Sequence, residues 1–288
     1  MNVRDEDVAL LHPGCTFPSS SSRATRFNFL SDLVSLPGML IEQETHRNNL
    51  IVLFNGAVNR DQGKDPRDVF QRRTWSNRLN ANLLYLSDPT LNSENQISIG
   101  WGQGSGHNKP LDVMVKCTAY IQNHLHINNE DILFYGSSAG GFQATYAHAF
   151  FPGSTFLVNN AQFDWTKYYP RFVQEVADYA HGGMSIAGLV QSTEVVTNVL
   201  DVFLQQNARI KGSYLVNLAS SIDYQAQLSV LKEFLDKRAH SHEPLSTEVS
   251  INIYSDKELG HMPLPKERTL SVINSALNTM NLGRKNAN

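Results

Sequence analysis

Asp131 to Ala144 reads DILFYGSSAGGFQA, an apolar run (Ile132 to Tyr135), the five residues Gly136-Ser137-Ser138-Ala139-Gly140, and then a helix-compatible stretch. The five residues fit the pattern G-x-S-x-G. A serine at a sharp strand-to-helix turn projects its hydroxyl out of the sheet, but the bend tolerates only small neighbours. Gly136, Ala139, Gly140 and Gly141 meet that demand. The register places Ser138 at the centre, in preference to its neighbour Ser137. The backbone N–H of Ala139, opening the helix, would face an oxyanion developing on a substrate. The same letters also suit a glycine-rich turn that merely packs a helix on a strand. The strand–turn–helix context is what favours a nucleophile.

Outward from this stretch the chain alternates short apolar runs with helical stripes. Asn49–Asn55 (NLIVLFN), Asn82–Leu86 (NLLYL), Thr155–Val158 (TFLV), Ser213–Leu218 (SYLVNL) and Val249–Tyr254 (VSINIY) join Ile132–Tyr135 as predicted strands. Continuous apolar runs of this length suit strands buried on both faces. Helical spacing follows at Leu111–Leu125, Gly140–Phe150, Tyr224–Lys237 and Glu267–Met280. The alternation predicts an α/β fold, a mostly parallel central sheet with helices on both faces. Residues 161–211 are too long for a simple crossover. They carry Phe163, Trp165, Tyr168, Tyr169 and Phe172 and read helical from Val195 to Leu204. They are expected to form a helical lid insertion, with additional helical packing as the plainer reading. The core is then 49–160 and 212–288. Residues 1–48 form an N-terminal arm with early strands, the first 25 weakly patterned, with Pro13-Gly14 and Ser19–Ser22 as turn and linker signals.

Composition narrows the function classes. The 288 residues carry 24 basic and 27 acidic side chains, a formal charge of −3, with no basic stripe, which argues against nucleic acid as a partner. Cys15 and Cys117 form no C-x-x-C pair, which fits a reducing compartment. The stretch Met1–Leu11 lacks the apolar core of a signal peptide, and no apolar run reaches spanning length. A cytoplasmic location is the expectation. The H-x-H pairs His124/His126 and His240/His242 lack a matching acid or cysteine cluster, so no metal site is expected.

Two further places carry chemistry. His261 lies in the loop Leu259-Gly260-His261-Met262-Pro263 after the sixth strand, and Asp223 stands between the fifth strand and the helix from Tyr224. Aspartate is also a favoured helix N-cap, and Asp256, five residues before His261, competes as the acid. Through GSSAGG (Gly136–Gly141), the Asp223 position and the Gly260-His261 loop, the chain resembles the α/β-hydrolase superfamily over roughly Asn49 to Met280. The resemblance implies a triad in the chain order Ser138, Asp223, His261. It also implies a second oxyanion donor in Asn55–Asn59, the N–H of Gly56 or Ala57. The segment Gly100–Gly106 (GWGQGSG) lacks G-K-[ST] and is expected to be a mobile loop near the pocket. Trp101, Trp165 and Tyr168 are its candidate substrate contacts.

More narrowly, the chain is similar to bacterial capsular polysaccharide O-acetyltransferases of the meningococcal serogroup A type, where a GSS-x-GG elbow, an Asp ahead of a helix and a Gly-His loop recur. It differs in a longer N-terminal part and in Ala139 after the serine. That likeness implies O-acetyl transfer to a glycan hydroxyl, with acetyl-CoA as donor and no permanently bound cofactor. An esterase or deacetylase shares every step but the last. A non-catalytic binding module on the same scaffold is the remaining reading.

Overall fold

Strands buried on both faces can only be satisfied between two layers, and the centre of the sheet, Leu50–Phe54, Asn82–Leu86, Ile132–Ser137 and Thr155–Asn159, is built from such strands. The computed structural model describes residues 8–18, 23–45, 48–106, 108–240 and 247–287; Ser19–Ser22 and His242 lie outside them. In chain order the elements are β1 (Val8–Leu11), β2 (Ala24–Ser31), β3 (Val34–Ile41), β4 (Leu50–Phe54), β5 (Asn82–Leu86), α1 (Pro110–Leu125), β6 (Ile132–Ser137) and α2 (Ala139–His148). There follow β7 (Thr155–Asn159), α3 (Pro170–Ala180), α4 (Ile186–Gln191), α5 (Leu200–Gln205), β8 (Ile210–Asn217), α6 (Leu228–Ala239), β9 (Thr247–Tyr254) and α7 (Lys266–Ala287). The sheet order is β1-β2-β3-β5-β4-β6-β7-β8-β9. Only β2–β3 and β3–β5 are antiparallel. From β5 to β9 every neighbouring pair is parallel.

One face is covered by α1, α2 and α6 through Met114, Cys117, Ile121, Phe142, Leu231 and Phe234. The other is covered by α7 through Leu270, Ile273 and Leu277, with Phe70 and Leu79 from the β4–β5 connection. Because β4, β6, β7, β8 and β9 run parallel, their carboxyl ends share one edge, where ligands meet open α/β sheets. Phe54, Ser137, Asn159, Asn217 and Tyr254 end these strands there.

Within residues 1–48, β1 is an edge strand paired parallel to β2, and β2 and β3 form a hairpin. Pairing with β2 and β3, invisible in local pattern, supplies the order. Two expectations are corrected, both on helix bounds. The helix read from Val195 starts instead at Leu200, because Val195–Val199 is drawn into contact with 163–165: Trp165 N–H bonds Thr197 O at 3.1 Å and Val199 N–H bonds Phe163 O at 2.8 Å. The helix read from Tyr224 begins as a π-helical turn, Ile222–Gln227, before α6.

Candidate active site

Ser138 links β6 to α2 with φ 55° and ψ −127°, a backbone conformation costing a non-glycine residue about 1–3 kcal/mol. The neighbours explain why the motif must be small. A Cβ on Gly136 would stand 2.0 Å from Gly140 O, and one on Gly140 would stand 2.6 Å from Phe54 O. The turn is held by Ser138 N–H on Asn159 O at 3.1 Å and by Gly141 N–H on Ser138 O at 2.9 Å.

The three predicted side chains meet in one chain of contacts. Ser138 Oγ lies 2.9 Å from His261 Nε2, and His261 Nδ1 lies 2.8 Å from Asp223 Oδ1. Asp223 is fully buried. An ionised carboxylate only accepts, so Nδ1 carries the proton and donates, which leaves the Nε2 lone pair facing the serine hydroxyl. Asp223 sits inside the π turn, and its side chain caps no helix end. A π turn widens the coil by one residue and is frequent at functional positions. Asp256, the competing acid, instead accepts the N–H groups of Glu258 and Leu259 at 3.0 and 3.1 Å.

The loop that carries His261 is hung from three buried asparagines. Asn217 Nδ2 donates to Asp256 O at 2.7 Å and Gly260 O at 2.8 Å. Asn160 Nδ2 donates to the carbonyls of His261 and Met262, both at 3.1 Å. Asn159 Oδ1 accepts from Leu264 N–H at 2.7 Å. Tyr168 lies against the imidazole, ring centres 5.3 Å apart. Burial pushes its hydroxyl pKa up, the nearby Tyr169 and the Asp223 charge adding to the effect, so it stays neutral.

The amide N–H groups of Ala139, next to Ser138, and of Ala57, next to Gly56, donate no hydrogen bond among the described residues. The N–H of Gly56 is engaged, donating to Gln71 Oε1 at 3.0 Å, while Gln71 Nε2 donates to Ala57 O at 2.8 Å. Gly56 nonetheless lies at the elbow: a Cβ there would stand 3.7 Å from Ser138 Cβ.

Trp101 and Trp165 are corrected. Both are fully buried and stacked on each other, ring centres 5.3 Å apart, so neither offers a face to a ligand. The glycine-rich loop is likewise internal from Gly100 to Gly104. The buried Asp88 carboxylate accepts from Gly102 N–H at 2.9 Å and from Gln143 Nε2 at 3.2 Å, and Thr90 Oγ1 accepts from Gly104 N–H at 2.9 Å. Burial raises the pKa of Asp88.

Sequence reasoning missed Gln162. It is fully buried, and its Nε2 lies 2.9 Å from Ser138 Oγ and 3.3 Å from His261 Nε2. Its Oε1 accepts from Trp101 Nε1. A glutamine four residues past an apolar run has no spacing signature; only its place three residues after Asn159, the end of the strand beside that of Ser138, hinted at it. Among the described residues no group of three or more His, Cys, Asp or Glu is placed to hold a metal ion. No helix among them is long and apolar enough to cross a membrane.

With this geometry in view, known structures are similar in overall fold. The capsule O-acetyltransferase of Neisseria meningitidis serogroup A superposes with a TM-score of 0.58 at 13% identity, over 86% of this chain and 96% of that one. The fold is that of the α/β-hydrolases. Acetyl xylan esterase 1 from a Thermoanaerobacterium species matches with a TM-score of 0.58 at 13% identity, over 90% and 84% of the two chains. A hormone-sensitive lipase from a metagenome library matches with 0.56 at 13% identity, over 92% and 88%. A variant of the meningococcal enzyme in complex with CoA gives 0.54 at 12% identity, over 84% and 94%. No family model and no curated protein matches the sequence.

Proposed function

We propose that the protein is a serine-triad O-acyltransferase that carries an acyl group through Ser138 to a hydroxyl of a glycan. The observation that carries this reading is the unbroken contact chain from Ser138 Oγ through His261 to Asp223, at 2.9 and 2.8 Å. As His261 Nε2 takes the hydroxyl proton, Oγ bonds to the acyl carbon and the carbonyl electron pair moves onto oxygen. The N–H groups of Ala139 and Ala57 receive that oxyanion, Ala57 rather than Gly56 because Gln71 already holds the Gly56 donor. Collapse expels the donor's leaving group with the proton from His261. An acceptor hydroxyl then gives its proton to His261, attacks the acyl carbon, and releases Oγ, which regains a proton.

Acetyl-CoA is the proposed donor. The CoA complex of the similarly folded capsule enzyme supports it, and such a donor places the reaction in the cytoplasm. Residues 161–211 act as the cover of this site: they carry Gln162 and set Tyr168 against His261. Water in place of the glycan hydroxyl turns the same steps into an esterase, the reaction named for the acetyl xylan esterase of the same fold.

The test is to label one sample of purified protein with a fluorophosphonate and to mix a second, unlabelled sample with acetyl-CoA, with and without polysaccharide acceptors. Labelling at Ser138 and acceptor-dependent loss of acetyl-CoA are expected. Acetate release that no acceptor redirects leaves the esterase, and a folded protein unlabelled at Ser138 removes the triad reading altogether.

A further inference from the structure

Trp101 Nε1–H can only donate, so the Gln162 atom it meets must be the amide oxygen. That settles the amide orientation from the protein itself: Nε2, with its two hydrogens, faces Ser138 Oγ and His261 Nε2. Gln162 is anchored at a second point, its backbone N–H donating to Ser138 O at 3.3 Å. Trp101 in turn is fixed by stacking on Trp165 and by a loop pinned to Asp88. A buried amide held in this way keeps its donor hydrogens among Ser138 Oγ, His261 Nε2 and the Tyr168 hydroxyl, which the Gln162 side chain also meets.

We propose that Gln162 is a catalytic residue, a fixed hydrogen-bond donor to Ser138 Oγ throughout the acyl-transfer cycle. This rests on the serine-triad reading above. In the resting state Oγ accepts from Gln162, which aims its single hydrogen at the His261 Nε2 lone pair. As that proton leaves and the Oγ–acyl bond forms, the amide offsets negative charge growing on Oγ. In the second half-reaction the C–Oγ bond breaks and its electron pair returns to Oγ. The same N–H stabilises that pair until His261 returns the proton. The oxyanion donors Ala139 and Ala57 act on the carbonyl oxygen; Gln162 acts on the nucleophile oxygen, as attacker and as leaving group.

Three full-length variants test this. Gln162→Leu removes the donor, Gln162→Glu keeps an acceptor for Trp101 but faces Oγ with an acceptor, and Trp101→Phe removes only the anchoring N–H. The readouts are the rate of fluorophosphonate labelling at Ser138 and the burst and steady-state rates with 4-nitrophenyl acetate. A hydrogen bond to a charged or charging oxygen predicts a fall on the order of 10- to 100-fold in labelling, acylation and deacylation for Gln162→Leu, with KM little changed. Gln162→Glu falls further, and the acidic limb of its pH–rate profile moves to higher pH, because a carboxylate beside Nε2 favours the imidazolium. Trp101→Phe falls less than either. Should Gln162→Leu fold poorly, Gln162→Glu, with the Trp101 bond retained, carries the test. Folded variants that label within twofold of a wild type labelled at Ser138 overturn the role of Gln162 and leave the triad intact. A wild type that does not label at all overturns both.

Discussion

At the residue scale, the proposed triad pairs a serine on a strained backbone with a fully buried acid. Asp223 Oδ1 holds the imidazole in one tautomer at 2.8 Å, so the acid acts through orientation more than through charge alone. Asp223→Asn offers Nδ1 an amide that can donate, which favours the other tautomer. Turnover is expected to drop about 10⁴-fold, while Ser138→Ala and His261→Ala abolish covalent labelling; single-turnover kinetics on the folded variants checks this. Ser138 itself was legible in the sequence because its neighbours obey a steric rule that needs no tertiary information. Asp223 and His261 were legible only through chain order. Gln162 was not, since what selects it is an indole 61 residues earlier in the chain. Trp101 was misread for the same reason: among glycines it looks like surface, and only the Asp88 carboxylate on Gly102 N–H draws it inside.

At the element scale, the elbow works because β4, β6 and α2 approach within the radius of a methyl group. Gly140→Ala would push its Cβ to 2.6 Å from Phe54 O, a backbone atom that cannot swing away. Overpacking of this kind costs about 1–3 kcal/mol. The expected outcome is a lower melting temperature together with slower labelling of Ser138, because Phe54 leads directly into the Asn55–Ala57 loop. The buried strands β4 to β7 were legible as apolar runs. The π turn before α6 was not, because widening a helix by one residue leaves its apolar spacing nearly unchanged; what requires it is the reach of Asp223 to His261.

At the scale of the whole molecule, the sheet's parallel half was legible and its other edge was not. The alternation of apolar runs with helical stripes declares a parallel sheet. β1 and β2 are half-exposed strands, and β3 is buried but interrupted by Pro37 and Gly38, so the order of all three comes only from pairing. The packed core also holds a titratable group far from the elbow. His148, at the end of α2, accepts Lys211 N–H on Nε2 at 3.1 Å and has Nδ1 2.7 Å from Ser154 Oγ, so it is neutral with the proton on Nδ1. Burial, assisted by the Lys211 charge, lowers its pKa from 6.5 to about 3. Below pH 6.5 the unfolded chain therefore binds a proton that the native protein refuses. Stability is complete above that value and is lost as pH falls from 6.5 toward 3, by up to about 1.4 kcal/mol per pH unit. Urea unfolding across that range is expected to give a flatter pH dependence for His148→Gln than for the wild type.

The stacked indoles at the back of the site give the protein an optical signature of its own. Of its three tryptophans, Trp101 and Trp165 lie nearly parallel, 24° between their planes, and both are fully buried. Transition dipoles this close couple, so the pair absorbs and rotates light as a unit rather than as two chromophores. One member of that unit bonds Gln162, which in turn touches Ser138 Oγ. Acylation of Ser138 under the proposed mechanism is therefore expected to shift the near-ultraviolet circular dichroism of this pair, a readout that needs no added dye.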